Sequence, residues 1–230
     1  RVGQKVLLLE QHRILGGQTH AFSRGAFRWD VGVHYLSDMD PDSHMRELLD
    51  WLCDTPIEFV PLGSIYDYVH IGSSEPLSLS RPFEAQERDL KDRFPKDGEA
   101  IEAWTKALRA GREAMFKIFP SRAMPKIAGD VLDWWNRRSR AKWVARTTKE
   151  VIDDITDNPE LAAVLSAQWG DHGGRPGRAS FAMHALIAGA YLPSGSWFPI
   201  GGASAFAEHI IPTITKNGGE ARAGVRVESL

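Results

Sequence analysis

The chain has 230 residues, 43% of them hydrophobic, a formal net charge of −2 and a single cysteine, Cys53. That length can bury a sizeable core as one large domain or two modest ones. The near-neutral net charge predicts no electrostatic pull of the chain as a whole on nucleic acid or acidic partners, and one cysteine excludes an internal disulfide framework and a cysteine-based zinc site.

The first element is a strand. Val6-Leu7-Leu8-Leu9 is an apolar run bounded by Lys5 and Glu10, the pattern of a parallel strand buried on both faces. Glu10 stands at its carboxyl end, where open α/β sheets bind ligands, and a carboxylate there can accept hydrogen bonds from both hydroxyls of an adenosine ribose. Gly16-Gly17 follow in a turn, and adjacent glycines let the backbone approach a phosphate or a flat ring. Together these read as the second strand of a dinucleotide-binding unit. The fingerprint G-x-G-x-x-G belongs about 20 residues before such an acidic residue, yet nine residues precede Glu10 and Gly3 is the one glycine among them. The chain starts at Arg1 and ends within a strand-like run, Val225 to Leu230, so the expectation is a piece of a longer protein.

Ala21-Phe22 and Phe27-Arg28-Trp29 flank Arg24-Gly25 as a hairpin would. Asp42-Ser43 then caps a helix whose Met45, Leu48, Leu49 and Leu52 have the spacing of one buried stripe. Runs at 57–60, 66–71 and 77–79 predict strands of a second sheet. From Arg81 to about Asn158 the pattern is helical, with breaks expected at Pro95, Pro120 and Pro125. Ile101, Trp104, Leu108, Met115 and Phe116 are predicted to share one face.

Residues 134–149 combine tryptophans with arginines and lysines. That is the composition of an interfacial membrane helix, or of a solvated helix whose tryptophans pack on the domain. Asp171-His172 sits in a glycine-rich loop and could relay a proton near neutral pH. His184, beside the apolar face of the next helix, reads as a core histidine with a satisfied hydrogen bond. That helix belongs to the longest apolar stretch, 179–192, which falls short of the ~20 residues of a spanning helix. Gly201-Gly202 opens a helix through Lys216, where free backbone N–H groups could face an anion or a ring. Pro212 should kink this helix, Asn217-Gly218-Gly219 should end it, and 220–223 and 225–227 predict two short strands.

Three stretches carry a family likeness. They are Glu10 to Tyr35, with Gly16-Gly17-Gln-Thr19-His20 and Trp29-Asp30-Val-Gly32-Val-His34; Trp169 to Ala185, with Asp171-His172 and His184; and Trp197 to Ser204, with Gly201-Gly202. In this order they resemble the FAD-dependent polyene oxidoreductases (phytoene desaturases, carotenoid isomerases and retinol saturases), most of all the retinol saturase branch. The resemblance implies an α/β fold with amine-oxidase-like flavoprotein architecture. A partial Rossmann-like FAD-binding domain would span 1–55 and 196–230, and a mixed-sheet and helical substrate cap 56–195. It implies FAD held by Glu10, Gly16, Gly17, Thr19, His20, Gly201 and Gly202, with a nicotinamide nucleotide as electron donor or acceptor. The substrate would be a hydrophobic isoprenoid whose carbon–carbon double bond is saturated, desaturated or isomerised. His34, Asp171 and His172 are the candidates for catalysis, and no metal is expected. A flavin carries the hydride chemistry, consistent with the lack of a Ser-His-Asp set or paired carboxylates. An amine-oxidase-like flavoprotein and a lipid-binding or inactive fragment remain as alternatives. The expected location is the cytoplasm or the cytoplasmic side of a membrane.

Overall fold

The computed structural model describes residues 3–229. In chain order its elements are β1 (Leu7–Glu10), β2 (Ala21–Arg24), β3 (Phe27–Asp30), α1 (His44–Leu52), β4 (Phe59–Pro61), β5 (Ile65–Val69) and β6 (Leu77–Ser80). The helices α2 (Phe83–Arg93), α3 (Gly98–Ala123), α4 (Lys126–Trp135), α5 (Arg137–Ser139), α6 (Thr148–Asp153), α7 (Pro159–Ser166), α8 (Trp169–His172), α9 (Phe181–Ala188) and α10 (Tyr191–Ser194) follow. Then come β7 (Trp197–Pro199), α11 (Ala205–Lys216) and β8 (Glu220–Ala223). These form two compact units, Arg1–Leu62 with Ser196–Leu230, and Gly63–Gly195.

In the first unit β1 and β8 pair in parallel, with Leu7 opposite Glu220 and Glu10 opposite Ala223. Parallel pairing matches the sequence; burial on both faces does not. Leu8 and Glu10 are half-buried, whereas Leu9 is exposed and Leu7 is 57% exposed. Among the described residues this ladder has two strands, and covering both faces of a parallel strand takes flanking layers on each side. β2 and β3 form the expected hairpin, Ala21 opposite Asp30, turning at Gly25 with φ 61°.

Ser43 caps α1 as expected, its hydroxyl accepting the Arg46 N–H. The predicted stripe is corrected: Leu49 is buried, but Met45 and Leu48 are exposed. The local core lies further along the chain, where Cys53, Ile57 and Ala205 are buried with Leu52, Phe59, Phe206 and Ile210 against them. The single expected second sheet is also corrected. β4 pairs antiparallel with β7 in this unit, whereas β5 and β6 form a hairpin of their own in the other. Strand propensity marks a segment but names no partner, and Pro61 and Pro199, lacking N–H donors, limit the β4–β7 ladder. Pro212 lies within α11, and Gly218, with φ 78°, follows its end as predicted. The expected strand at 225–227 does not form; Gly224 turns the chain at φ 72°, and the Val225 N–H donates to the Glu10 carbonyl at 2.9 Å. Leu230, the last residue of that run, lies outside the described residues.

The second unit is built on α3 and α9. Pro95 and Pro125 fall between helices as expected, but Pro120 lies inside α3, which continues to Ala123. A proline near a helix end removes a bond that the last turn can do without, so the helix stops shortly after it rather than at it. Ile101, Trp104 and Leu108 are buried as predicted, yet the buried face continues through Gly111 and Ala114, leaving Phe116 exposed. The reason is α9. A Cβ on Gly111 would stand 2.7 Å from the Ala185 Cβ and 2.9 Å from the Phe181 ring, so only a small residue admits that crossing. Residues 134–149 are not one helix: α4 ends at Trp135, and α5, a π-helical turn over Arg140–Val144 and α6 follow. Trp143 turns inward, its ring 5.6 Å from that of Phe181, while Trp134 and Trp135 are exposed. No helix among the described residues is long and apolar enough to cross a membrane.

Candidate functional site

At the carboxyl end of β1 the chain turns through Gly16 and Gly17, with φ of 120° and 54°, values that favour glycine. A Cβ on Gly16 would stand 3.1 Å from Thr19 Oγ1 and 3.3 Å from the Ala207 Cβ of α11. The turn therefore lies against α11 because residue 16 has no side chain. Thr19 locks it, its hydroxyl donating to the Gly16 carbonyl at 2.8 Å.

The result is a groove of about 420 Å³ whose lining includes Glu10, Gly16, Gly17 and Thr19 on one side and Phe206, Ala207 and Ile210 of α11 on the other. Glu10 Oε1 accepts the His12 N–H at 2.8 Å. Its Oε2 lies 3.9 Å from where a Gly17 Cβ would stand, so it faces the glycine turn. A carboxylate beside two side-chain-free residues over an apolar helix face suits a nucleotide sugar: the acid takes hydroxyls, and the bare backbone admits the ligand.

Four of the residues singled out by sequence thus share one groove, and three others lie elsewhere. His20 Nδ1 is 2.5 Å from the Gly17 carbonyl oxygen and its ring lies 4.5 Å from that of His12, tilted by 33°; it lines a neighbouring groove of about 510 Å³ with Arg28 and Ser204. Gly201 and Gly202 have φ of 92° and 82°, but the helix start they open is already served. The Ala203 N–H donates to Asp30 Oδ2 at 3.0 Å, and the Gly202 N–H to the Pro199 carbonyl at 3.1 Å. The expectation of free N–H groups here is corrected: the anion at this helix start is the Asp30 carboxylate. Sequence reasoning quoted Asp30 within its motif and gave it no role; a carboxylate closing a hairpin strand was the available signal.

The catalytic candidates divide between the units. His34, in the first, has a buried Nδ1 with no hydrogen-bond partner among the described residues, and its ring lies edge-on to Tyr35 at 5.0 Å. Asp171 and His172 lie in the second, on α8, and their side chains hydrogen-bond to different partners. Asp171 takes the Tyr191 hydroxyl at 3.5 Å. His172 Nδ1 accepts the Gly174 N–H at 3.3 Å, and its Nε2 lies 3.2 Å from His184 Nδ1. His184 Nε2 in turn is 3.2 Å from the Leu165 carbonyl.

This chain fixes the protons. Because His172 Nδ1 accepts, its Nε2 carries hydrogen and donates to His184, whose own Nε2–H then reaches Leu165. Both rings are neutral. Burial, and then the neighbouring His172, push His184 down to about 4; burial also lowers His172, with Asp171 opposing. His184 is a core histidine with its hydrogen bonds satisfied, as the sequence predicted. No group of three or more His, Cys, Asp or Glu that could hold a metal ion occurs among the described residues.

Residues 1–52 match the family of NAD(P)-binding Rossmann-like domains, in keeping with the mixed α/β make-up of the first unit. Along nearly its whole length the chain is similar to the all-trans-retinol 13,14-reductases, the branch that its three motif stretches resemble. It is 32% identical, over 95% of its length, to the all-trans-retinol 13,14-reductase of Danio rerio, and 28% identical over its full length to that of Homo sapiens. A second Danio rerio relative, named an inactive all-trans-retinol 13,14-reductase, is 28% identical over 96% of the chain. The chain spans 37% to 39% of the length of these relatives.

Proposed function

We propose that the chain serves in a flavin-dependent oxidoreductase that saturates a carbon–carbon double bond of a retinoid-like isoprenoid. The observation that carries this reading is the groove at the carboxyl end of β1, where Glu10, Gly16, Gly17 and Thr19 converge. The relatives named as retinol reductases supply the substrate class. In this reading Arg1–Leu62 with Ser196–Leu230 is part of the FAD-binding domain, and Gly63–Gly195 is the substrate cap.

Bound FAD would supply the hydride chemistry. The chain's own residues would hold and orient it: Glu10 would accept from the ribose hydroxyls, Gly16 and Gly17 would let the nucleotide reach the backbone, and the Thr19–Gly16 hydrogen bond fixes the turn. Asp30 fixes the start of α11, the helix that forms the groove's apolar wall. His34, whose Nδ1 is buried and without a partner among the described residues, is the proposed catalytic residue of the first unit. A nicotinamide nucleotide is the proposed electron donor, and the cytoplasmic side of a membrane, where retinoids partition, the proposed location.

Titrating FAD into the chain and following quenching of flavin fluorescence tests the groove. Charge-assisted hydrogen bonds contribute roughly 1.5–3 kcal/mol each, so Glu10→Ala should weaken FAD binding by about tenfold or more. Unchanged affinity would remove Glu10 from the site. Peroxide release on an amine, with no turnover of retinol, would move the protein to the amine oxidases.

A further inference from the structure

We propose that the outer face of the α3–α4 hairpin is a docking surface for an anionic lipid bilayer. A helix on a globular domain ordinarily turns its apolar stripe inward; α4 is built the other way round. Ile127, Val131, Trp134 and Trp135 have the i, i+4, i+7, i+8 spacing of one stripe, and all are exposed, Ile127 to 82% and Trp135 to 77%. What α4 buries is Gly129, on its opposite side, where a Cβ would stand 2.4 Å from the Ser121 carbonyl oxygen of α3. Close backbone approach holds the glycine side, and the apolar side faces solvent. Phe119 of α3 and Met124 in the connecting turn are exposed as well.

Charge selects the occupant. Residues 112–142 hold eight lysines and arginines against three carboxylates, in a chain whose net charge is −2. Each of those carboxylates already has a cation: Glu113 with Lys117 at 2.6 Å, Asp130 with Lys126 at 2.7 Å and Asp133 with Arg140 at 2.5 Å. Arg137 and Arg138 follow the stripe directly, and the Arg137 guanidinium lies 4.4 Å from the Trp134 ring centroid. Indoles and cations at the edge of an apolar stripe are how interfacial helices meet a bilayer, with rings at headgroup level and cations on the phosphates. A second copy of this chain would bring like charges together across the patch. This inference goes beyond the catalytic reading, since it rests on the surface of one unit and holds whatever reaction the protein runs.

Flotation of the full chain with phosphatidylcholine vesicles, with and without phosphatidylserine, tests it. Wild type should float with the mixed vesicles and bind pure phosphatidylcholine about tenfold more weakly. V131D/W135D, at exposed positions, should lower binding to the mixed vesicles about tenfold or more with an unchanged circular dichroism spectrum. R137E/R138E should abolish the preference for phosphatidylserine. Brominated lipid should quench wild-type tryptophan fluorescence, and W134F/W135F should remove most of that quenching while still floating. Wild type that floats with neither vesicle would overturn the proposal, as would V131D/W135D floating like wild type or quenching that persists in W134F/W135F. A dimer that V131D/W135D dissociates, with no vesicle binding, would assign the face to a second copy instead.

Discussion

Two apolar runs in this chain meet opposite fates. In the second unit, Phe181-Ala-Met-His-Ala of α9 closes against α3, and Phe181, Ala182 and Ala185 are fully buried. In the first, Leu7-Leu8-Leu9 of β1 pairs with β8 and leaves Leu7 and Leu9 in solvent. A helix satisfies its own backbone hydrogen bonds, so α9 needs only a complementary surface, which α3 supplies at Gly111. A parallel strand needs neighbours for its hydrogen bonds and cover for both faces. The two apolar runs are therefore buried unequally among the described residues, because a helix and a strand ask different things of their neighbours.

The contrast can be broken most forcefully at Phe181, whose ring lies 5.6 Å from both Trp104 and Trp143. Phe181→Ala should destabilise the second unit by about 3–5 kcal/mol, read as a fall in the urea midpoint. A cost below about 1 kcal/mol would show that the α3–α9 seam is not the core.

His184 sharpens the comparison through pH. Its folded pKa, about 4, lies below the ordinary 6.5, so the unfolded chain binds the extra proton between those values. The stability this neutral histidine contributes is fully present above pH 6.5 and is lost as pH falls toward 4. That amounts to roughly 3 kcal/mol across the window. His184→Gln should flatten the pH dependence of unfolding between pH 6.5 and 4 relative to wild type; an identical slope would mean that the ring is solvated.

The smallest effect is expected at Leu7. Because its side chain is largely in solvent, Leu7→Ala should change stability by no more than about 0.5 kcal/mol. A cost near that of Phe181→Ala would mean that β1 is covered after all.

Local chemistry was legible in the residues. Gly25 marked the hairpin, Ser43 the start of α1, and Asn217-Gly218 the end of α11, because each depends on atoms a few positions apart. The carboxylate-then-glycines order of Glu10, Gly16 and Gly17 marked one side of the groove, whereas its other wall, Phe206, Ala207 and Ile210 of α11, comes from far along the chain. Partners far along the chain were not legible. Nothing in Ile57 to Val60 says that its strand pairs with Trp197–Pro199 rather than with β5. Nothing in Asp171-His172 says that one faces Tyr191 and the other His184. The exposed side of α4 follows from Gly129 meeting a carbonyl of α3, and the pattern of α4 alone would have turned Ile127 inward.

The sequence by itself determined the hairpin at Gly25, the cap of α1 at Ser43, the end of α11 and the relatives the chain resembles. Those features are written in short-range stereochemistry and side-chain type. Tertiary structure alone decided strand partners, the proton order along Gly174, His172, His184 and Leu165, the capture of a helix start by Asp30 and the face that α4 shows to solvent. Each of these depends on which distant segments come to lie within a few ångströms of one another, and long-range packing sets that.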